Sequence, residues 1–112
     1  MHELGITRNI VSIVEEAAKG RRVKRVTVDI GQLSGVMPDA IAFCFDIVAK
    51  GTLLDGANLD IRSIAGRARC RGCGEAFDTA TLYQSCVCGS RAIDRLAGEE
   101  LKIREMELEE AA

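Results

Sequence analysis

Tryptophan is absent from the chain, proline and histidine occur once each, and only Phe43, Phe45, Phe77 and Tyr83 are aromatic. The core must therefore be aliphatic rather than built on large rings. No apolar run approaches the ~18 residues that a membrane-spanning helix needs. The first fifteen residues carry polar and charged groups throughout. They show neither the apolar stretch nor the small-residue cleavage site of a secretory signal, so the cytoplasm is the expected compartment. A basic surplus is missing too: 15 Lys and Arg against 17 Asp and Glu give a formal net charge of −2. That argues against nucleic acid as the bulk partner, since phosphate binding wants positive charge. With 112 residues, the chain is one domain, or one domain with a small metal-stapled insert.

Periodicity supplies the elements. Residues 3–19 predict an amphipathic helix, with Ile6, Ile10, Ile13, Val14 and Ala17 on one face. Leu4, Val11 and Ala18 widen that stripe, and Lys19-Gly20 forms a C-terminal stop. In "RRVKRVTVDIG", Val26, Val28 and Ile30 alternate with Arg25, Thr27 and Asp29, which predicts a strand with one buried face. The single proline, Pro38, suits the first position of a second helix, with Asp39 favourable in its first turn. Ile41, Cys44, Phe45 and Val48 form its inner face. Cys44 on that stripe reads as a small core residue. Strands are expected at 57–65 and 99–109. In the latter the apolar parity changes between Ile103 and Met106, which predicts a β-bulge near Arg104–Glu105.

Residues 66–98 change character: rich in Cys, Gly, Arg and Ser, they lack a core of their own and need a staple. The resulting expectation is an α+β fold. Two helices pack on a small three-stranded mixed sheet built from 1–65 plus 99–112, and residues 66–98 form an inserted zinc-ribbon-like lobe.

The staple is written as "CRGCGEAF" and "SCVCGS", with Cys70, Cys73, Cys86 and Cys88 as ligand candidates. Zn²⁺ favours four soft tetrahedral donors, and four thiolates leave no open position, so the role is structural. Glycines directly after Cys73 and Cys88 let each turn fold around the metal. The second half is unusual, because only Val87 separates its cysteines. Tetrahedral sulfurs lie roughly 3.8 Å apart, closer than the Cβ atoms of extended residues at i and i+2. Either the chain kinks at Val87 or another group supplies the fourth ligand, and Asp94 would substitute poorly. A disulfide pair and a redox CxC pair are the competing readings; the compartment disfavours the first and the second lacks an activating group.

The only histidine, His2, sits one step from the start of the chain. The Met1 amine and the His2 backbone nitrogen can close a five-membered chelate ring. The His2 nitrogen and its own imidazole Nδ1 can close a six-membered one. The Glu3 backbone nitrogen or carboxylate offers a further donor. These donors cannot all bind in one unstrained square, so the set actually used stays open. A nitrogen-rich set favours Ni(II) or Cu(II) in square-planar or tetragonal geometry. The first amides of a helix have no intrahelical partner, so ligation there breaks no ladder bond.

"MHELGITRNIV", "IGQLSGVMPDAIAFCFDIVAKGT", "CRGCGEAF" followed by "CGS", and the closing "LKIREMELE" together resemble the HypA/HybF family of nickel metallochaperones in [NiFe]-hydrogenase maturation. The resemblance implies a nickel domain of two helices and a three-stranded sheet, plus a zinc domain. It implies His2 as a nickel ligand with backbone nitrogens at positions 2 and 3, and structural zinc on Cys70, Cys73, Cys86 and Cys88. It further implies a non-enzymatic carrier without catalytic residues, which passes its metal to a hydrogenase large-subunit precursor with help from a HypB-type GTPase. Protonating the imidazole supplies a release route, because protons compete with the metal. The chain departs from the family at "CVCGS", where the usual pattern is CPxCGS. Asp39 marks where a further carboxylate could approach the terminus. The rival reading is a zinc-ribbon adaptor for nucleic acid or protein, using "GRRVKR" and Arg67, Arg69 and Arg71; it lacks the aromatic platform of single-strand binders. A thiol oxidoreductase using Cys86 and Cys88 is a third.

Overall fold

A computed structural model describes residues 2–110. Its elements run α1 (Glu3–Ala18), β1 (Val23–Gly31), α2 (Pro38–Val48), β2 (Asn58–Ile64), β3 (Arg67–Cys70), β4 (Ala76–Asp78), β5 (Ile93–Ala97) and β6 (Leu101–Leu108). They form two three-stranded sheets, ordered β2-β1-β6 and β4-β3-β5. The first is mixed: β1 runs parallel to β2 and antiparallel to β6. Both helices pack with this sheet around Val26, Val28 and Ile30 of β1, together with Ile10, Val14, Ile41, Phe45 and Leu54. The second sheet, wholly antiparallel, carries the cysteines.

The predicted bulge is present. Thr27 faces Glu105 while Val28 faces Ile103, which leaves Arg104 as the extra residue of β6. A second shift, between Val23 and Arg25, leaves Lys24 extra on β1. Pro38 occupies the start of α2, as its fixed φ and missing N–H favour. Helix α1 stops at Lys19, which itself takes the left-handed conformation ahead of Gly20.

Two expectations about faces need correction. The buried stripe of α1 is Thr7, Ile10, Val11, Val14 and Ala18, whereas Ile13 and Ala17 are exposed. Apolar periodicity misses Thr7 because its hydroxyl is satisfied locally, donating to the Glu3 carbonyl at 2.7 Å. On β1, Thr27 and Asp29 are buried although their face points away from the helices. Arginines from the neighbouring strands reach over Asp29. Arg62 Nε lies 3.8 Å from its Oδ1 and Arg104 Nη1 3.5 Å from its Oδ2. The bulge places Arg104 and Glu105 where one residue would otherwise face β1, which lets Arg104 reach that carboxylate.

Three glycines sit where the chain passes between the sheets. A Cβ on Gly31 would stand 2.0 Å from the Gly98 carbonyl oxygen, and one on Gly98 would stand 2.7 Å from the Gly66 Cα. Leu33 closes this junction, its Cδ1 lying 2.9 Å from where a Cβ on Gly66 or on Gly98 would stand. The "GQLSG" turn is thus a packing element between the sheets.

Candidate metal centres

In the second sheet, β3 ends on Cys70 and turns at once. The Gly74 N–H donates to the Cys70 carbonyl at 2.9 Å, and Gly74 takes φ 80°. Within this turn the Gly72 and Cys73 N–H groups point at the Cys70 sulfur, at 3.3 and 3.4 Å. The second turn kinks at Val87, one of the two outcomes open from its spacing. The Gly89 N–H donates to the Cys86 carbonyl at 2.8 Å, Gly89 takes φ 91°, and Val87 is 99% exposed at the apex.

The two turns face each other. The Cys70 and Cys88 sulfurs are 3.6 Å apart, as are those of Cys73 and Cys86. All four lie within 4.8 Å of one another. These separations bracket the roughly 3.8 Å edge of a tetrahedral ZnS₄ unit. The donor set therefore fits a four-coordinate soft-metal site, and no fifth group is required. Cys70 and Cys86 are buried, while Cys73 and Cys88 are exposed.

The thiols are electrostatically unequal. N–H donation, from Cys73 foremost and from Gly72 as well, holds the Cys70 thiol down at about 6 against the effect of burial. The Cys88 N–H pulls Cys86 downward, but burial and the neighbouring sulfurs outweigh it and push that thiol up to about 12. Cys73 is likewise raised, despite the Glu75 N–H and the favourable Cys86 contact, by burial and by Cys70 and Cys88. Cys70 is thus pulled toward the thiolate while Cys73 and Cys86 are pushed toward the thiol, a gradient that a dication would level.

The start of the chain is arranged differently. His2 is the exposed N-cap residue of α1, at φ 45° and ψ 39°. Its carbonyl accepts the Ile6 N–H at 3.1 Å, so the amides of residues 2 and 3 precede the helical ladder. The Glu3 Oε2 accepts the Met37 N–H at 3.0 Å, which ties the first turn of α1 to the N-cap of α2. No periodicity signals this contact between residues 34 apart. Asp39 sits in the first turn of α2, but the hydrogen bond that links the two helix starts runs through Glu3. Met1, the third residue expected at the terminal site, lies outside the described residues. A groove of about 240 Å³ between α1 and β6 is lined by Ile6, Ile10, Ile13, Leu101 and Ile103. Its apolar walls offer nothing resembling a catalytic constellation.

Comparison with known proteins decides the family. The family model "Hydrogenase/urease nickel incorporation, metallochaperone, hypA" matches residues 1–108. The chain belongs to the HypA family. It is 56% identical over 110 residues to a hydrogenase maturation factor HypA of a Nostoc species, covering 98% of this chain and 97% of that one. It is 44% identical over 110 residues to the Geobacter sulfurreducens factor, covering 97% and 100%. Among solved structures, the solution structure of the Ni metallochaperone HypA from Helicobacter pylori superposes with a TM-score of 0.68 at 26% identity, covering 96% of this chain and 97% of that one. Another HypA solution structure gives 0.71 at 25% identity, covering 96% of each. The HypA family is one of metallochaperones and maturation factors, not catalytic enzymes. The α+β architecture expected from sequence is that of its solved members, and the four-cysteine cluster is consistent with the expected zinc-ribbon lobe. No helix among the described residues is long and apolar enough to cross a membrane.

Proposed function

We propose that this protein takes up Ni(II) at its amino terminus and delivers it to the large-subunit precursor of a [NiFe]-hydrogenase in the cytoplasm. The whole-length family match carries this reading. The donors are the His2 imidazole and the backbone nitrogens of residues 2 and 3, with the Met1 amine and the Glu3 carboxylate as further candidates. A nitrogen-rich set suits square-planar nickel. The exposure of His2 supports transfer, because an acceptor's ligands can approach the ion directly. Deprotonated amide nitrogens are compatible with the helix start, where the ladder makes no use of them. The Met37 N–H holds the Glu3 carboxylate beside the terminus, where negative charge offsets the helix dipole's resistance to a cation.

In this reading Cys70, Cys73, Cys86 and Cys88 hold Zn²⁺ as a structural ion. It staples residues 66–98 onto a nickel unit formed by 1–65 and 99–112. A HypB-type GTPase takes part in the handover. Ni(II) titration of the native protein, a His2→Ala variant and an amino-terminally extended form tests the terminal site. Loss of tight binding in both altered forms is expected, and equal stoichiometry and affinity in all three overturns it. Metal analysis of untreated protein should return one zinc per chain.

A further inference from the structure

Strand β6 pairs with β1 on one side only and forms an edge of the first sheet. The Glu100 carbonyl accepts the Gly31 N–H and the Glu109 N–H donates to the Arg22 carbonyl, so both residues turn their backbone toward β1. Alternation from each end, with the bulge at Arg104–Glu105 between, directs the N–H and C=O groups of Leu101, Ile103, Met106 and Leu108 at the open edge. The same four side chains lie on the core side of the sheet, opposite Ile30, Val28, Val26 and Val23. Lys102, Arg104, Glu105 and Glu107 lie on the other face. Leu101 is 41% exposed and lines the apolar groove against α1, where Ile13 is 57% exposed. A sheet edge with unpaired backbone groups and an apolar flank is a template for a further strand.

We propose that β6 pairs antiparallel with β6 of a second copy of this chain, about a two-fold axis between Arg104 and Glu105. The strand is self-complementary in this register. Leu101 faces Leu108 of the second copy and Ile103 faces Met106, apolar against apolar, and these are the residues whose backbone groups point outward. Lys102 faces Glu107 and Arg104 faces Glu105, cation against anion. The bulge singles out this register, because the inward face changes parity across it. A shift of one residue sets most inward side chains against outward ones, and a shift of two sets Ile103 against Arg104 or Glu105 against Met106. Two facing bulges carry equal numbers of residues, so the ladder stays in step on either side of them. Lys102 and Glu105 make no ion pair among the described residues and are available for these contacts. Arg104 and Glu107 already meet Asp29 and Arg25 within the chain, but each is about half exposed and can take a second partner. Beyond either end Glu99 and Glu100 would meet Glu110 and Glu109 of the second copy, so like charge confines the ladder to Leu101–Leu108.

Sedimentation velocity of the full, metal-loaded chain, from micromolar to submillimolar concentration, should show a monomer–dimer equilibrium. Amide hydrogen exchange at Leu101, Ile103, Met106 and Leu108 should slow as concentration rises, because pairing removes those N–H groups from water. Lys102→Glu sets like charges opposite each other at two symmetric positions and should weaken the dimer about tenfold. Its urea midpoint at low concentration should stay native, since Lys102 has no ion-pair partner within the chain. Glu107→Lys should weaken the dimer in the same way. Mixed in equal amounts, the two variants should recover native dimerisation, because each then meets the opposite charge on the other. A monomer at every concentration, a dimer indifferent to Lys102→Glu, no recovery on mixing, or slowed exchange confined to elements other than β6 would overturn the proposal.

Discussion

Substituting Gly31 by Ala tests how the two sheets are joined. The new Cβ would stand 2.0 Å from the Gly98 carbonyl oxygen, 2.2 Å from its carbon and 2.7 Å from the Glu100 nitrogen. Real Cβ contacts essentially never fall under 3.0 Å, so β1 and residues 98–100 must part by about 1 Å. Two hydrogen bonds cross that gap, Gly31 N–H to the Glu100 carbonyl and Leu33 N–H to the Gly98 carbonyl, both 2.7 Å. Lengthened by that amount they pass out of bonding range. Each contributes about 1 kcal/mol net. Loosening of Leu33 from its seat against Gly66 and Gly98 adds roughly another 1 kcal/mol. The smaller unfolded-state entropy of Ala returns about 0.5 kcal/mol. The expected net loss is about 2–3 kcal/mol.

Gly5→Ala is the internal control. Gly5 lies in α1 with nothing within 4 Å of a Cβ, so the same chemical change should stabilise by about 0.5–1 kcal/mol. Urea unfolding of the metal-loaded protein, followed by the helical signal at 222 nm, reads both. A Gly31→Ala midpoint equal to the native one, or a larger loss from Gly5→Ala, refutes the view that this junction is close-packed backbone.

Asp29 beneath Arg62 and Arg104 predicts non-additive stability. Each arginine is about half exposed, so Arg62→Met or Arg104→Met alone should cost at most about 1 kcal/mol in urea unfolding. Together they strand a carboxylate that is 2% exposed, and the double variant should lose about 3–5 kcal/mol; additive behaviour would contradict this. Metal uptake by the reduced, metal-free protein should release protons, because thiols must give theirs up to ligate, as calorimetry in buffers of different ionisation enthalpy can measure. Chelating the metal, or Cys86→Ser, should abolish protection of residues 66–98 from proteolysis while α1 and α2 retain their helical signal, because the lobe has little apolar core of its own.

Much of the first sheet and its helices was legible because one physical signal, apolar periodicity, set each element. Alternation along Val26, Val28 and Ile30 marked β1, and the parity change after Ile103 marked the bulge at Arg104. The signal failed where burial came from polar groups. Thr7 enters the core with its hydroxyl bonded to the Glu3 carbonyl, and Asp29 is covered by arginines from strands distant in sequence. Neither leaves a trace in apolar spacing. The link from Glu3 to Met37 was equally invisible, because a carboxylate meeting a backbone amide depends on how two helix ends are juxtaposed.

The cysteine lobe separates what spacing determines from what only backbone conformation decides. Four cysteines in two close pairs name the sulfurs that can converge, and those four do converge. Spacing alone cannot choose between a kink and a missing ligand in Cys86-Val87-Cys88, because an extended chain would hold the two sulfurs too far apart. The choice is made just beyond the pair. Gly89, at φ 91°, adopts a conformation that nearly any other residue resists, and its N–H closes the turn on the Cys86 carbonyl. The Cys86 N–H, bonded to the Ser90 carbonyl at 3.1 Å, clamps the other side. The shortened turn therefore reaches the metal geometry through the glycine and serine after it. The residue inside it, Val87, contributes no packing at 99% exposure. "CGS" is thus the part of the second motif that the fold depends on.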